Sequence, residues 1–178
     1  MRYLALHSKK KLHRTNWDND FLTKTIDPLC LERKIKEIKL QKKTIATLNG
    51  SFDLMHAGHL HMIYEASKLA DVLIIALNSD SSIKQYKDIS RPIITLNDRM
   101  QMMAAIEFVD FVTWFDETNP CNILNLIKPD VHINGQEYGE NCIEAETVRV
   151  HGGKLVVVPL VQGLSTSKII EKIQNLRA

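Results

Sequence analysis

A doubly wound α/β domain on a parallel five-stranded sheet, preceded by a helical extension, follows from three features of this 178-residue chain. Short aliphatic runs alternate with longer amphipathic segments from residue 44 onward. Those runs are continuously apolar rather than alternating, as in strands covered by helices on both faces, which require right-handed crossovers. Finally, the segments between them carry helix-start residues: Thr95 or Asn97, Asn119 before Pro120, and Ser165. The strands are expected at 44–49, 72–77, 111–115, 130–134 and 154–159, and the helices at 58–70, 97–108, 120–127, 141–151 and 166–176, with Gly152-Gly153 stopping the fourth.

Ahead of this domain, 44–178, lies a basic extension, 1–43. Its first 27 residues lack periodicity and read as a mobile or loosely docked lead-in. From Pro28, Leu31, Ile35 and Ile38 recur at helical spacing and predict a helix over 29–41. Residues 1–43 carry 12 Lys/Arg against 5 Asp/Glu, and the remainder 11 against 16, so a net charge of +2 hides a polarised chain. A positive arm could touch nucleic acid, but it lacks interleaved aromatic residues and is read as solvated, with no nucleic-acid partner.

At 44% hydrophobic and 25% charged residues, the composition is that of a folded globular chain. The longest apolar stretch, Val72 to Leu77, is far short of a membrane span, and a cytoplasmic protein is expected. Cys30, Cys121 and Cys142 are odd in number and scattered, which suits reduced thiols.

In such sheets ligands bind beyond the carboxyl ends of the strands. The first strand exits into Asn49-Gly50-Ser51-Phe52-Asp53-Leu54-Met55-His56-Ala57-Gly58-His59, with a helix immediately after. Gly50 allows close approach of backbone to ligand, and unpaired N–H groups at the helix start favour an anion. The glycine spacing fits neither the dinucleotide fingerprint nor a Walker loop. His56 and His59 stand three apart, so both imidazoles can face one point and donate to a phosphoryl group. A zinc site would need further ligands, and His61 points to another face; no metal is assigned to protein side chains. Asp53 fixes the loop rather than taking a proton. Near the other end, Ser165, Thr166 and Ser167 can cap a helix whose first N–H groups face an anion.

The first segment resembles the signature of the cytidylyltransferase-like nucleotidyltransferases, which share a His-x-Gly-His motif. Leu164-Ser165-Thr166-Ser167-Lys168-Ile169-Ile170 resembles their Ile-Ser-Thr-Ser/Thr-Lys/Arg motif. Within that family, Asn78 to Lys84, Lys87, Ser90-Arg91-Pro92 and Asp98-Arg99-Met100 are similar to the heptose-phosphate adenylyltransferases, the nucleotidyltransferase half of the bifunctional ADP-heptose synthesis protein. Ile127 to Gly135 and Gly152-Gly153-Lys154 match the same branch, although its frequent Lys-Gly-Gly-Asp-Tyr loop is Asn134-Gly135-Gln136-Glu137-Tyr138 here.

The resemblance implies a Rossmann-like nucleotidyltransferase fold. It further implies transfer of a nucleoside monophosphate from an NTP, ATP favoured, to D-glycero-β-D-manno-heptose 1-phosphate, releasing pyrophosphate. Implied roles are catalytic for His56, His59 and Lys84, and nucleotide binding for Asn49, Gly50, Ser51, Phe52, Gly58, Arg99, Gly135, Ser165, Thr166 and Ser167. Lys87 and Arg91 are candidates for the acceptor phosphate. Arg99, early in a helix where a cation opposes the dipole, is expected to have an anionic partner. Mg²⁺ is expected with the triphosphate, a homodimer is possible, and a separate sugar kinase would act upstream. The alternatives are a glycerol-3-phosphate cytidylyltransferase and a non-catalytic nucleotide-binding scaffold.

Overall fold

The computed structural model describes residues 16–136, 138–139, 141–159, 161 and 163–176. The lead-in residues 1–15 lie outside the described residues. The strands are β1 (Ile45–Gly50), β2 (Val72–Asn78), β3 (Phe111–Phe115), β4 (Val131–Gly135) and β5 (Lys154–Val158). The helices are α1 (Trp17–Asp20), α2 (Pro28–Leu40), α3 (Ala57–Ser67), α4 (Asp80–Tyr86), α5 (Leu96–Ala105), α6 (Cys121–Ile127), α7 (Ala145–Val150) and α8 (Thr166–Asn175).

All strands pair in parallel in the order β3-β2-β1-β4-β5. The chain therefore runs outward from β1 on one side and resumes at β4 on the other, making the β1/β4 crevice the switch point. Alternation along the strands divides the core. Ala46, Leu48, Leu73, Ile75 and Leu77 pack with Ile63 and Ala66 of α3 and Met103 and Ala104 of α5. Ile45, Val72, Ile74 and Ala76 pack with Leu31, Ile35 and Ile38 of α2 and Ile123 and Ile127 of α6. Continuous apolar strands are thus explained by cover on both faces.

Residues 16–27 differ from the expected loose lead-in because they cover the free edge of β3. Trp17 Nε1 donates to Gln101 Oε1 at 2.7 Å, and Lys24 Nζ donates to the carbonyls of Ile106 and Val109. Thr25 makes a parallel bridge to Val112, and Ile26 is buried beside it. At that bridge the Ile26 N–H donates to the Val112 carbonyl and the Val112 N–H to the Lys24 carbonyl, both at 2.8 Å, so edge groups of β3 that could pair with another chain are satisfied. The helix α4 was not expected: Ser82 and Ile83 are its only buried residues, too few for a periodic signal, and Ser79 caps it by accepting from Ser82 N at 3.2 Å. The helix expected over 97–108 ends at Ala105, where Ile106 turns extended, and that expected over 141–151 shrinks to Ala145–Val150.

Gly153 follows α7 at the entry to β5. A Cβ there would be driven into the Pro129 carbonyl oxygen and stand 2.9 Å from Val148 Cγ1, so backbone would have to move. Gly153→Ala is expected to destabilise the chain by about 1–3 kcal/mol, read from its urea midpoint.

His132 on β4 pairs in register with Thr47 on β1 and is completely buried. Its Nδ1 lies 2.8 Å from Thr47 Oγ1, while Nε2 has no partner among the described residues. Burial lowers its pKa to about 4, the Thr47 contact working the other way. The unfolded chain, with the ordinary value of 6.5, then binds more protons between these limits. Stability from this neutral histidine is full above pH 6.5 and is lost as pH falls towards 4. Urea midpoints measured across that window should decline, and His132→Asn should remove part of the slope.

Candidate active site

The site begins where β1 ends, at the centre of the sheet. Gly50 is pressed against Phe52: an added Cβ would lie 3.1 Å from Phe52 Cε2. Phe52 takes a left-handed conformation, φ 46°, and is buried. The sharp turn sends Asp53 inward. Its Oδ1 accepts the N–H groups of Ile93 and Ile94, both at 2.8 Å, and its Oδ2 accepts Arg91 Nε at 2.6 Å. Burial pushes this carboxyl up, but the hydrogen bonds from Ile94, Ile93 and Arg91 outweigh it and hold the pKa below the usual range. Asp53 therefore stays ionised and ties the loop to the segment before α5, and Arg91 is its ion-pair partner.

His56 caps α3. Its Nδ1 accepts the Gly58 N–H at 3.1 Å, which leaves the neutral ring's proton on Nε2. Gly58 is needed for this closeness, since a Cβ would stand 3.0 Å from that nitrogen. One turn on, the His59 ring stacks on His56 with centroids 3.9 Å apart and packs against Phe52 at 5.2 Å. Burial, then His56, then Lys87 lower the His59 pKa to about 4, and burial lowers that of His56. Both shifts favour the neutral rings, which keeps repulsive charge from building between them. His59 Nδ1 is buried without a partner among the described residues.

The late Ser/Thr motif meets this loop. Ser165 caps α8, accepting from Lys168 N at 3.2 Å, and Thr166 Oγ1 makes a long 3.5 Å hydrogen bond to the Leu54 carbonyl. Leu164 Cβ stands 3.5 Å from where a Gly58 Cβ would be. The unpaired N–H groups at the start of α8 are thereby brought beside the start of α3, on the His56 flank. Ser167 is in this first turn.

On the His59 flank, Lys87 Nζ donates to Ser51 Oγ at 2.9 Å. Burial lowers its pKa, as do Arg91 and Arg99, with Asp53 opposing, so this ammonium sits among cations with a neutral hydroxyl as its hydrogen-bond partner. Lys84, one turn earlier, is exposed and makes no described hydrogen bond or ion pair. The structure brings Lys87, rather than Lys84, to the loop.

Arg99 is completely buried and engaged within the protein. Its Nη1 donates to the carbonyls of Ser51 and Asn78, its Nε to that of Ile94, and its Nη2 pairs with Asp80 at 2.7 Å. The anionic partner expected of this residue is Asp80. Arg99, expected from the sequence to contact the nucleotide, is held here by groups of the protein and joins the loop after β1, the start of α4 and the start of α5.

Across the crevice, Gly135 ends β4 two residues beyond the Leu48–Ile133 pairing, level with Gly50, and its carbonyl accepts the Tyr138 N–H. Asn49 Oδ1 is buried at this end of the sheet without a partner among the described residues. Tyr86, which sequence reasoning passed over, has its ring centroid 5.5 Å from Lys87 Nζ. Its signal was only adjacency to Lys87.

A domain model described as cytidylyltransferase-like matches residues 47–172, which include both histidines and the α8 motif. The chain belongs to the cytidylyltransferase-like family. Among its relatives is the bifunctional protein HldE of Marinomonas sp. (strain MWYL1), 37% identical over 164 residues, covering 92% of this chain and 33% of that protein. The bifunctional protein HldE of Campylobacter fetus subsp. fetus (strain 82-40) is 41% identical over 134 residues, covering 75% and 28%. The chain therefore spans about a third of the length of these relatives.

Two solved structures share the family architecture. A lipopolysaccharide core biosynthesis protein from Thermoplasma volcanium GSS1 has TM-score 0.55 and 26% identity, over 67% of this chain and 97% of that one. Pantoate-beta-alanine ligase from Francisella tularensis, complexed with beta-gamma ATP and beta-alanine, has TM-score 0.56 and 16% identity, over 86% and 79%, a likeness of fold alone. Among the described residues no helix is long and apolar enough to cross a membrane.

Proposed function

We propose that this chain transfers a nucleoside monophosphate, AMP in preference to others, from a nucleoside triphosphate to a sugar 1-phosphate of the heptose class, releasing pyrophosphate in the cytoplasm. The observation that carries this reading is the stacked His56–His59 pair, flanked on one side by the start of α8 and on the other by Lys87. The similarity to proteins named bifunctional protein HldE and the heptose-branch motifs support the acceptor class.

In this mechanism an acceptor phosphate oxygen attacks the α-phosphorus in line. The new P–O bond forms as the bond to the pyrophosphate oxygen breaks, and the leaving group takes that electron pair. A phosphate monoester is already ionised near neutral pH, so no covalent enzyme intermediate is required. His56, through Nε2–H, and His59 donate to the non-bridging oxygens of the α-phosphate as charge grows there. The N–H groups opening α8, with Ser165, Thr166 and Ser167, hold the β and γ phosphates. Lys87 holds the acceptor phosphate.

Among the described residues no group of three or more His, Cys, Asp or Glu could cage a metal ion, and Asp53 and Asp80 are taken by arginines. The donor set fits Mg²⁺ arriving on triphosphate oxygens and water, where it would supply charge neutralisation.

The test is pyrophosphate release from ATP or CTP with heptose 1-phosphate or glycerol 3-phosphate. Turnover with ATP and the sugar phosphate is expected. Turnover only with CTP and glycerol 3-phosphate would replace the acceptor and base assignments, and none with any pair would mark a binding scaffold.

A further inference from the structure

Tyr86 ends α4 and Lys87 caps it. The Lys87 ammonium donates to the Ser51 hydroxyl at 2.9 Å, and the Tyr86 ring stands beside that ammonium, its centroid 5.5 Å from Nζ. Tyr86 nevertheless remains 41% exposed, so this large aromatic side chain is open to a ligand beside the loop that carries the histidines. It is not needed for the core, since it belongs to neither buried cluster.

The two flanks of the histidine pair are chemically different. The His56 flank offers the opening of α8, brought in by Leu164 against Gly58. The His59 flank offers an ammonium, a phenol and a serine hydroxyl. In-line displacement requires the incoming oxygen and the leaving pyrophosphate to stand on opposite sides of the phosphorus being transferred. If the start of α8 takes the leaving group, the Lys87 flank receives the acceptor, and whatever borders Lys87 meets the acceptor's carbon skeleton. A phenol suits a polyhydroxylated ring, because its face packs against C–H groups while its hydroxyl exchanges hydrogen bonds with the ligand's.

We infer that Tyr86 is a specificity-determining residue that contacts the sugar portion of the acceptor while Lys87 holds its phosphate. This rests on reading the site as a nucleotidyltransferase centre, and its test separates the two. With the full chain, binding of D-mannose 1-phosphate and of inorganic phosphate is measured by calorimetry for the parent, Tyr86→Phe and Tyr86→Ala. Tyr86→Ala should weaken the sugar phosphate about tenfold and inorganic phosphate less than about twofold, with Tyr86→Phe between. In turnover with heptose 1-phosphate, the KM for that acceptor should rise by a similar factor and the KM for ATP should stay within about twofold.

Equal weakening of both ligands, unchanged binding in Tyr86→Ala, or a parent that binds the sugar phosphate no tighter than inorganic phosphate would overturn the inference. The binding difference without turnover in the parent would support the subsite and overturn the transferase reading. Should Tyr86→Ala not fold, Tyr86→Phe carries the same comparison, with loss of about threefold in sugar-phosphate affinity expected and an unchanged ratio overturning it.

Discussion

His59→Ala should lower nucleotidyl transfer by about 10²–10³-fold while leaving the fold intact, the size of effect seen when one preorganised donor to developing charge is lost. The imidazole lies between the His56 ring and Phe52, with Lys87 nearby, and its Nδ1 has no partner among the described residues. Nothing in the described structure requires its polar atoms, so their loss should be felt in catalysis. Pyrophosphate release under saturating nucleotide measures the loss, and circular dichroism checks the fold. Turnover within a few-fold of the parent would remove His59 from the chemistry. His56→Ala should add a stability cost of roughly 0.5–2 kcal/mol, because His56 also caps α3.

Arg99→Met should be strongly destabilising, by about 3–5 kcal/mol, chiefly through the buried carbonyls left without a donor, since Asp80 itself is partly exposed. The substitution removes donors from three carbonyls, those of Ser51, Asn78 and Ile94, and leaves Asp80 without its guanidinium. Methionine fills much of the space but satisfies none of these groups. Because Ser51 is the residue that Lys87 contacts, turnover should fall with stability even at temperatures where the variant is folded. Urea unfolding gives the stability change. A loss below about 1 kcal/mol would mean that water replaces the guanidinium easily, against its complete burial.

The strands were legible because a sheet covered on both faces demands unbroken apolar runs, and Val72–Leu77 is such a run. The histidine loop was legible because its chemistry is concentrated in consecutive residues. Residues far apart in sequence were harder. Arg99 was recognisable as a cation in need of an anion, but Asp80 becomes that partner only after β2 and α5 are packed. The sequence offers Lys84 and Lys87 one helical turn apart; the end of α4 at Tyr86 and the changed backbone at Lys87 select which one meets Ser51. The helix α4 itself has too few buried apolar residues to announce its period.

A structure of the chain with a non-hydrolysable ATP analogue most directly tests the joint grip of the two loops on one polyanion. The α-phosphate should stand within hydrogen-bond reach of His56 Nε2 and of the His59 ring, with the β and γ phosphates against the first N–H groups of α8. A triphosphate bound elsewhere, or one held by α8 with its α-phosphate turned away from both imidazoles, would contradict that arrangement.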